Sequence, residues 1–115
     1  MGADTNAKEK RQHDRLSMRS TALLLLPNRA QVAVRTTDIS RVGIGLAASA
    51  NPPEGLVVQL RVQVPQRPAG YKDIDVQAKV VHSVFSRREG DFRVGLLFLN
   101  PSSQALSVIV DYLNK

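Results

Sequence analysis

Two short patterns in the first 43 residues combine residue types that grip anions and purine bases. The first is Arg11-x-x-x-Arg15, preceded by Lys10. Two arginines four apart share a face if helical, and can also converge on one ligand from a loop. A guanidinium is a flat fork of donors that matches phosphate oxygens, or the O6 and N7 acceptors of guanine. The second pattern is Asp38-Ile39-Ser40-Arg41-Val42-Gly43, a D-x-S-x-x-G. An ionised Asp can accept from the N1–H and N2 amino edge of guanine, and a Ser hydroxyl can bond a phosphate or the turn backbone. Gly43 would allow a sharp turn or close approach of a ligand. Each pattern has an ordinary reading too. An Arg-rich chain carries such pairs by chance, and Asp-x-Ser is also the composition of a turn between strands.

The charge is concentrated around these patterns. The 115 residues carry a formal net charge of +6. Residues 8–41 hold eight Lys and Arg against three Asp and Glu, which places +5 of the total there. That excess points to an anionic partner. Several other classes are disfavoured. With no Cys there is no disulfide framework, no thiolate nucleophile and no ordinary structural zinc site. Only 4% of residues are aromatic, few for a surface that stacks single-stranded bases. The longest apolar run, Ala22 to Leu26, is far short of the roughly 20 residues that span a bilayer. The polar start lacks the apolar centre of a secretory signal. A cytoplasmic protein without cofactor or metal is the expectation.

The elements that must position the two patterns follow from periodicity. Residues 1–10 read as a flexible polar tail and 11–115 as one domain. Leu23 to Leu26 reads as a buried strand ending at the Pro27-Asn28 turn. Gln31 to Ile39 places Val32, Val34 and Thr36 on one face. Gly43 to Ala47 is a short apolar strand. Leu56 to Val64 alternates strictly, and Ile74 to Phe85 alternates as far as Val80 and then loses the pattern. Phe92 to Leu99 is the last strand. The period then changes: Leu106, Ile109, Val110 and Leu113 line one face of a helix. Asn100 before Pro101 is a candidate N-cap, with Ser102 competing. Evenly spaced short strands favour an antiparallel barrel or sandwich over a parallel sheet.

Taken together and in this order, the two patterns resemble the PilZ domain family. Arg11 and Arg15 match its arginine motif; Asp38, Ser40 and Gly43 match its D-x-S-x-x-G. The flanking Ile44-Gly45-Leu46 and Arg93-Val94-Gly95-Leu96-Leu97-Phe98 resemble that family's strands. The resemblance implies an all-β fold, a six-stranded antiparallel barrel with a C-terminal helix and a flexible N-terminal arm. It also implies a receptor for cyclic di-GMP, a bacterial second messenger with two guanines and two phosphates. Arg11 and Arg15 would grip phosphate and guanine, Asp38 would face the other guanine edge, Ser40 would hold a phosphate, and Gly43 would shape the turn. Lys10, the residue before the first arginine, is implied to bear on stoichiometry, and its cation leans toward two ligand molecules per chain. Closure of the arm would signal to an unidentified protein partner. Arg35 and Arg41 could add phosphate contacts, but the favoured reading is that they are solvated strand residues.

Three rival functions have weaker support in the residues. A hydrolase could be drawn from His82, Ser83 and Asp73 or Asp75, but no nucleophile elbow or phosphate loop is present. His82 reads instead as a surface or core-edge residue. A small basic barrel binding RNA or DNA would fit the charge, yet no nucleic-acid motif surrounds Phe85, Phe92 or Phe98. A protein adapter of the same fold, without nucleotide binding, is the third.

Overall fold

The computed structural model describes residues 15–114. Arg11, Lys10 and the expected 1–10 tail lie outside the described residues. Among the described residues, seven strands and one helix follow in order: β1 (Leu16–Ser17), β2 (Thr21–Leu25), β3 (Gln31–Ile39), β4 (Gly43–Ala48), β5 (Val57–Pro65), β6 (Tyr71–Ser86), β7 (Asp91–Leu99) and α1 (Ser103–Leu113). β2 through β7 pair in the order β3-β2-β5-β6-β7-β4, and β4 pairs back onto β3, closing a six-stranded antiparallel barrel. β1 is an additional short strand beside the end of β3. Among the described residues, no helix is long and apolar enough to cross a membrane.

The interior is built by alternation. β5 turns Val58, Leu60, Val62 and Val64 inward, none more than 2% exposed. β6 opposes them with Ile74, Val76, Ala78 and Val80. Burying a Val or Leu side chain contributes about 1.5–3 kcal/mol, so this strand pair is the centre of the hydrophobic core. The Leu23 to Leu26 segment departs from expectation. Ala22 and Leu24 are buried, but Leu23 and Leu25 are 40% and 38% exposed. A barrel strand has one face outside, so a run of leucines is buried only at every second residue.

The helix caps the barrel with a slightly different stripe from the one expected. Its buried residues are Ala105, Val108 and Ile109, with Tyr112 packed at the edge of the core. Leu106 and Val110 are half-buried beside them. The small Ala105 lets the helix approach the strands closely, and the larger side chains fill its flanks. Ser102, not Asn100, is the N-cap: its Oγ accepts from the Ala105 N–H at 3.0 Å. Asn100 adopts φ 46°, which turns the chain out of β7.

Between β1 and β2 the chain bulges away from β3, and Thr36 holds the bulge. The buried Thr36 Oγ1 donates to the Met18 carbonyl at 2.5 Å and accepts from the Ser20 N–H at 2.8 Å. Met18 fills the core beneath, fully buried. The Tyr112 hydroxyl donates to the Ser17 carbonyl at 2.8 Å, tying the helix to β1.

Candidate ligand site

Asp38 owes its position to a β-bulge. Thr36 stands opposite Leu46 and Asp38 opposite Gly45, so β3 carries one extra residue, Thr37. A second bulge interrupts β6: Val80 faces Leu96 and His82 faces Gly95, leaving Val81 as the extra residue. Gly45 and Gly95 face each other across β4 and β7. Asp38, Gly45, Gly95 and His82 therefore form one row across four adjacent strands. An extra residue flips everything beyond it to the other face. Both bulges thus serve to bring a polar side chain onto the outside of the barrel at the same level.

The two glycines form the floor of this row. A Cβ on Gly45 would lie 2.8 Å from both Asp38 Oδ1 and Thr37 Oγ1. A Cβ on Gly95 would strike the His82 ring, with Nδ1 at 2.8 Å and Nε2 at 2.9 Å. A shallow recess of about 320 Å³ opens here, walled by Arg15, Thr37, Asp38, His82 and Arg93. Arg15 reaches over from the residue before β1, and its guanidinium donates to Asp38 Oδ1 at 2.9 Å. Arg93 is held from the β6–β7 turn by Glu89 Oε1 at 3.2 Å. The recess therefore presents two guanidinium groups, one carboxylate and one imidazole, all within reach of solvent.

Of the residues the sequence singled out, the structure brings Arg15 and Asp38 into contact. Ser40 and Gly43 sit in the turn that follows and do not wall the recess. Ser40 is only 4% exposed. Its Oγ accepts from the backbone N–H groups of Val42 and Gly43, each at 3.2 Å, and its own N–H donates to the Gly43 carbonyl at 2.9 Å. Gly43 answers to a different constraint, since a Cβ there would collide with the Leu96 carbonyl of β7. The expected Arg11 and Lys10 contacts fall outside the described residues. The Ser83, His82 and Asp75 grouping is not assembled: Ser83 Oγ bonds Asn51 at 2.6 Å, and Asp75 pairs with Arg61 at 2.8 Å.

His82, Arg93 and the Gly45–Gly95 floor were not legible as site residues. The one visible signal was the lost alternation after Val80, which is where the β6 bulge stands.

A family model for the PilZ domain matches residues 9–115. The chain belongs to the PilZ domain family. Among solved structures, this PilZ domain resembles the motility inhibitor MotI/DgrA of Bacillus subtilis, with a TM-score of 0.76 at 13% identity over 86% of this chain and 47% of that one. It resembles the PilZ domain of YcgR from Escherichia coli with c-di-GMP, with a TM-score of 0.62 at 20% identity over 86% of this chain and 85% of that one. It also resembles PlzA of Borreliella burgdorferi in complex with c-di-GMP, with a TM-score of 0.60 at 18% identity over 97% of this chain and 45% of that one. At these identities the likeness is one of fold. The PilZ domain spans about half the length of the Bacillus and Borreliella chains. No curated protein matches the sequence.

Proposed function

We propose that this PilZ domain is a cyclic di-GMP receptor, with the recess over Gly45 and Gly95 taking one guanine of the ligand. One observation carries the reading. Arg15 and Asp38, 23 residues apart in sequence, meet at 2.9 Å beside an open, glycine-floored recess. Asp38 accepts from the N1–H and N2 amino edge of guanine. The guanidinium of Arg15 exchanges its carboxylate partner for a phosphate oxygen or for the O6 and N7 edge. Arg11, four residues earlier, supplies a second fork from the N-terminal arm. Ser40 and Gly43 keep the turn tight, so that Asp38 stays aimed outward.

Two negative charges on the dinucleotide complement the excess of basic residues in this region. Several such contacts give an affinity of about −8 kcal/mol, roughly micromolar. The position of the arm then differs between free and bound protein, and a downstream protein reads that difference.

Titration calorimetry of the full chain with cyclic di-GMP tests the reading. Binding by the unaltered chain, and its loss in Arg11→Ala, Arg15→Ala and Asp38→Ala, is the expected result. Asp38→Ala also narrows the preference for cyclic di-GMP over cyclic di-AMP. No binding by the unaltered chain, or full affinity in both Arg11→Ala and Arg15→Ala, would remove the assignment.

A further inference from the structure

A second and wider recess lies beside the first on the outer face of the barrel. It measures about 660 Å³ and is walled by Arg19, Arg35, Thr37, Ala47, Tyr71 and Glu89. We propose that it is the other half of the same ligand site, taking the far nucleobase and phosphate of a single cyclic dinucleotide that bridges both recesses. This rests on the receptor reading above, and it differs from the two-molecule expectation attached to Lys10.

Three observations support it. The first is continuity. Both recesses share Thr37. Between them β4 turns out only the small residues Gly45 and Ala47, with Ala47 opposite Arg35 on one side and Arg93 on the other. No bulky side chain of β4 separates the two spaces.

The second is size. The first recess, at about 320 Å³, is at the lower end of the ~300–1,000 Å³ that holds a small-molecule ligand. A cyclic dinucleotide with two purines, two riboses and two phosphates needs more room than that. The adjoining recess supplies it.

The third is chemistry. Arg35 has a side chain 68% exposed, with Asp91 Oδ2 at 2.8 Å as its ion-pair partner. Arg19 is exposed. Tyr71, which pairs with Pro65 at the end of β5, lines the recess together with Arg19 and Arg35. Tyr71 is 61% exposed, a ring free to stack a base. Glu89 at the rim opposes an anion, but it is engaged by Arg93 at 3.2 Å. Two arginine forks and one open ring are the groups that a nucleobase and phosphate need.

The test is calorimetry of the full chain with cyclic di-GMP. Arg19→Ala, Arg35→Ala and Tyr71→Ala each weaken binding about tenfold. Arg61→Ala, an equal loss of charge outside both recesses, changes it by no more than about twofold. Arg35→Lys keeps the charge without the fork and falls between. Asp91→Asn, which releases Arg35, tightens binding. The stoichiometry is one per chain. All these residues are at the surface, and circular dichroism confirms that each variant is folded. The proposal is overturned if the unaltered chain binds while Arg19→Ala and Arg35→Ala behave like Arg61→Ala. It is also overturned if two molecules bind and Arg35→Ala removes one without weakening the other. No binding by the unaltered chain overturns the receptor reading and this proposal together.

Discussion

Gly45 and Gly95 face each other across β4 and β7, and the Asp38 carboxylate and the His82 ring lie over them. Neither polar side chain could rest there if its glycine carried a Cβ. The pair is thus a seat for two functional groups rather than a flexible point in the sheet.

Three alanine substitutions separate seating from packing. In Gly45→Ala the new methyl meets side-chain oxygens of Asp38 and Thr37, and in Gly95→Ala it meets the imidazole. These side chains can swing away, so both variants fold but bind cyclic di-GMP more weakly. In Gly43→Ala the methyl meets the Leu96 carbonyl, which is backbone within a closed barrel. That variant loses stability, by about 1–3 kcal/mol as for other overpacked sites. Urea denaturation beside calorimetry distinguishes the two outcomes. Equal stability losses at all three positions would contradict the distinction.

Thr36→Val preserves shape and removes a hydroxyl that makes one buried and one partly buried hydrogen bond. The Met18 carbonyl and the Ser20 N–H lose their partner, at a cost of about 1–3 kcal/mol. Amide exchange at Ser20 should accelerate more than the global change requires, because the bulge between β1 and β2 opens first. Unchanged exchange there would show that the hydroxyl does not hold the bulge.

Arg15→Ala should leave the melting temperature nearly unchanged while binding is lost. The Arg15–Asp38 pair is at the surface, with side chains 56% and 24% exposed, and such pairs contribute about 0–1 kcal/mol. A large thermal destabilisation would mean that the pair serves the fold instead of the ligand.

Among the described residues, Tyr112 and Asp75 tie stability to pH, one at each end of the scale. Burial raises the Tyr112 phenol above its ordinary value of 10.0. The folded state therefore holds this proton more tightly than the unfolded chain. Its contribution is complete below the unfolded value and is lost as pH rises through the raised folded value. At the acid end, the hydrogen bond from Arg61 lowers Asp75 below its ordinary value of 3.8. That contribution is present above the unfolded value and fades as pH falls through the lowered folded one. It is small, since the two side chains are 60% and 65% exposed. Urea melts across pH check the alkaline limb: Tyr112→Phe should decline less above pH ~10 than the unaltered chain. It should also lose about 1 kcal/mol near neutrality with the hydrogen bond to Ser17. A parallel alkaline decline in both proteins would dissociate Tyr112 from it.

Much of the barrel could be read from the sequence because its longest strands obey a simple period. Val58 to Val64 and Ile74 to Val80 alternate without exception, and the change of period after Leu99 marks the helix. Asp38 and Arg15 were singled out only because the two patterns occur together and in that order, since each alone has an ordinary reading; the structure brings the two side chains into contact. The bulges were not. One extra residue in a strand has no letter of its own, and only pairing shows that Thr37 and Val81 are the ones left over. Without the pairing, nothing connects His82 with Gly95 or with Asp38. Leu23 and Leu25 misled for a related reason, since an outward leucine differs from an inward one only by the partner it faces.

The two bulges also give the outer face more side chains than a regular ladder of the same length would. Deleting Thr37 would restore regular pairing between β3 and β4, and deleting Val81 would do the same for β6 and β7. The barrel could close in either case. Asp38 would still face Gly45 and His82 would still face Gly95, but the second side chain that each bulge turns outward, Thr37 or Val81, would be gone. A homologue lacking the Thr37 position could therefore keep every letter of D-x-S-x-x-G in place and still lose one wall of the recess.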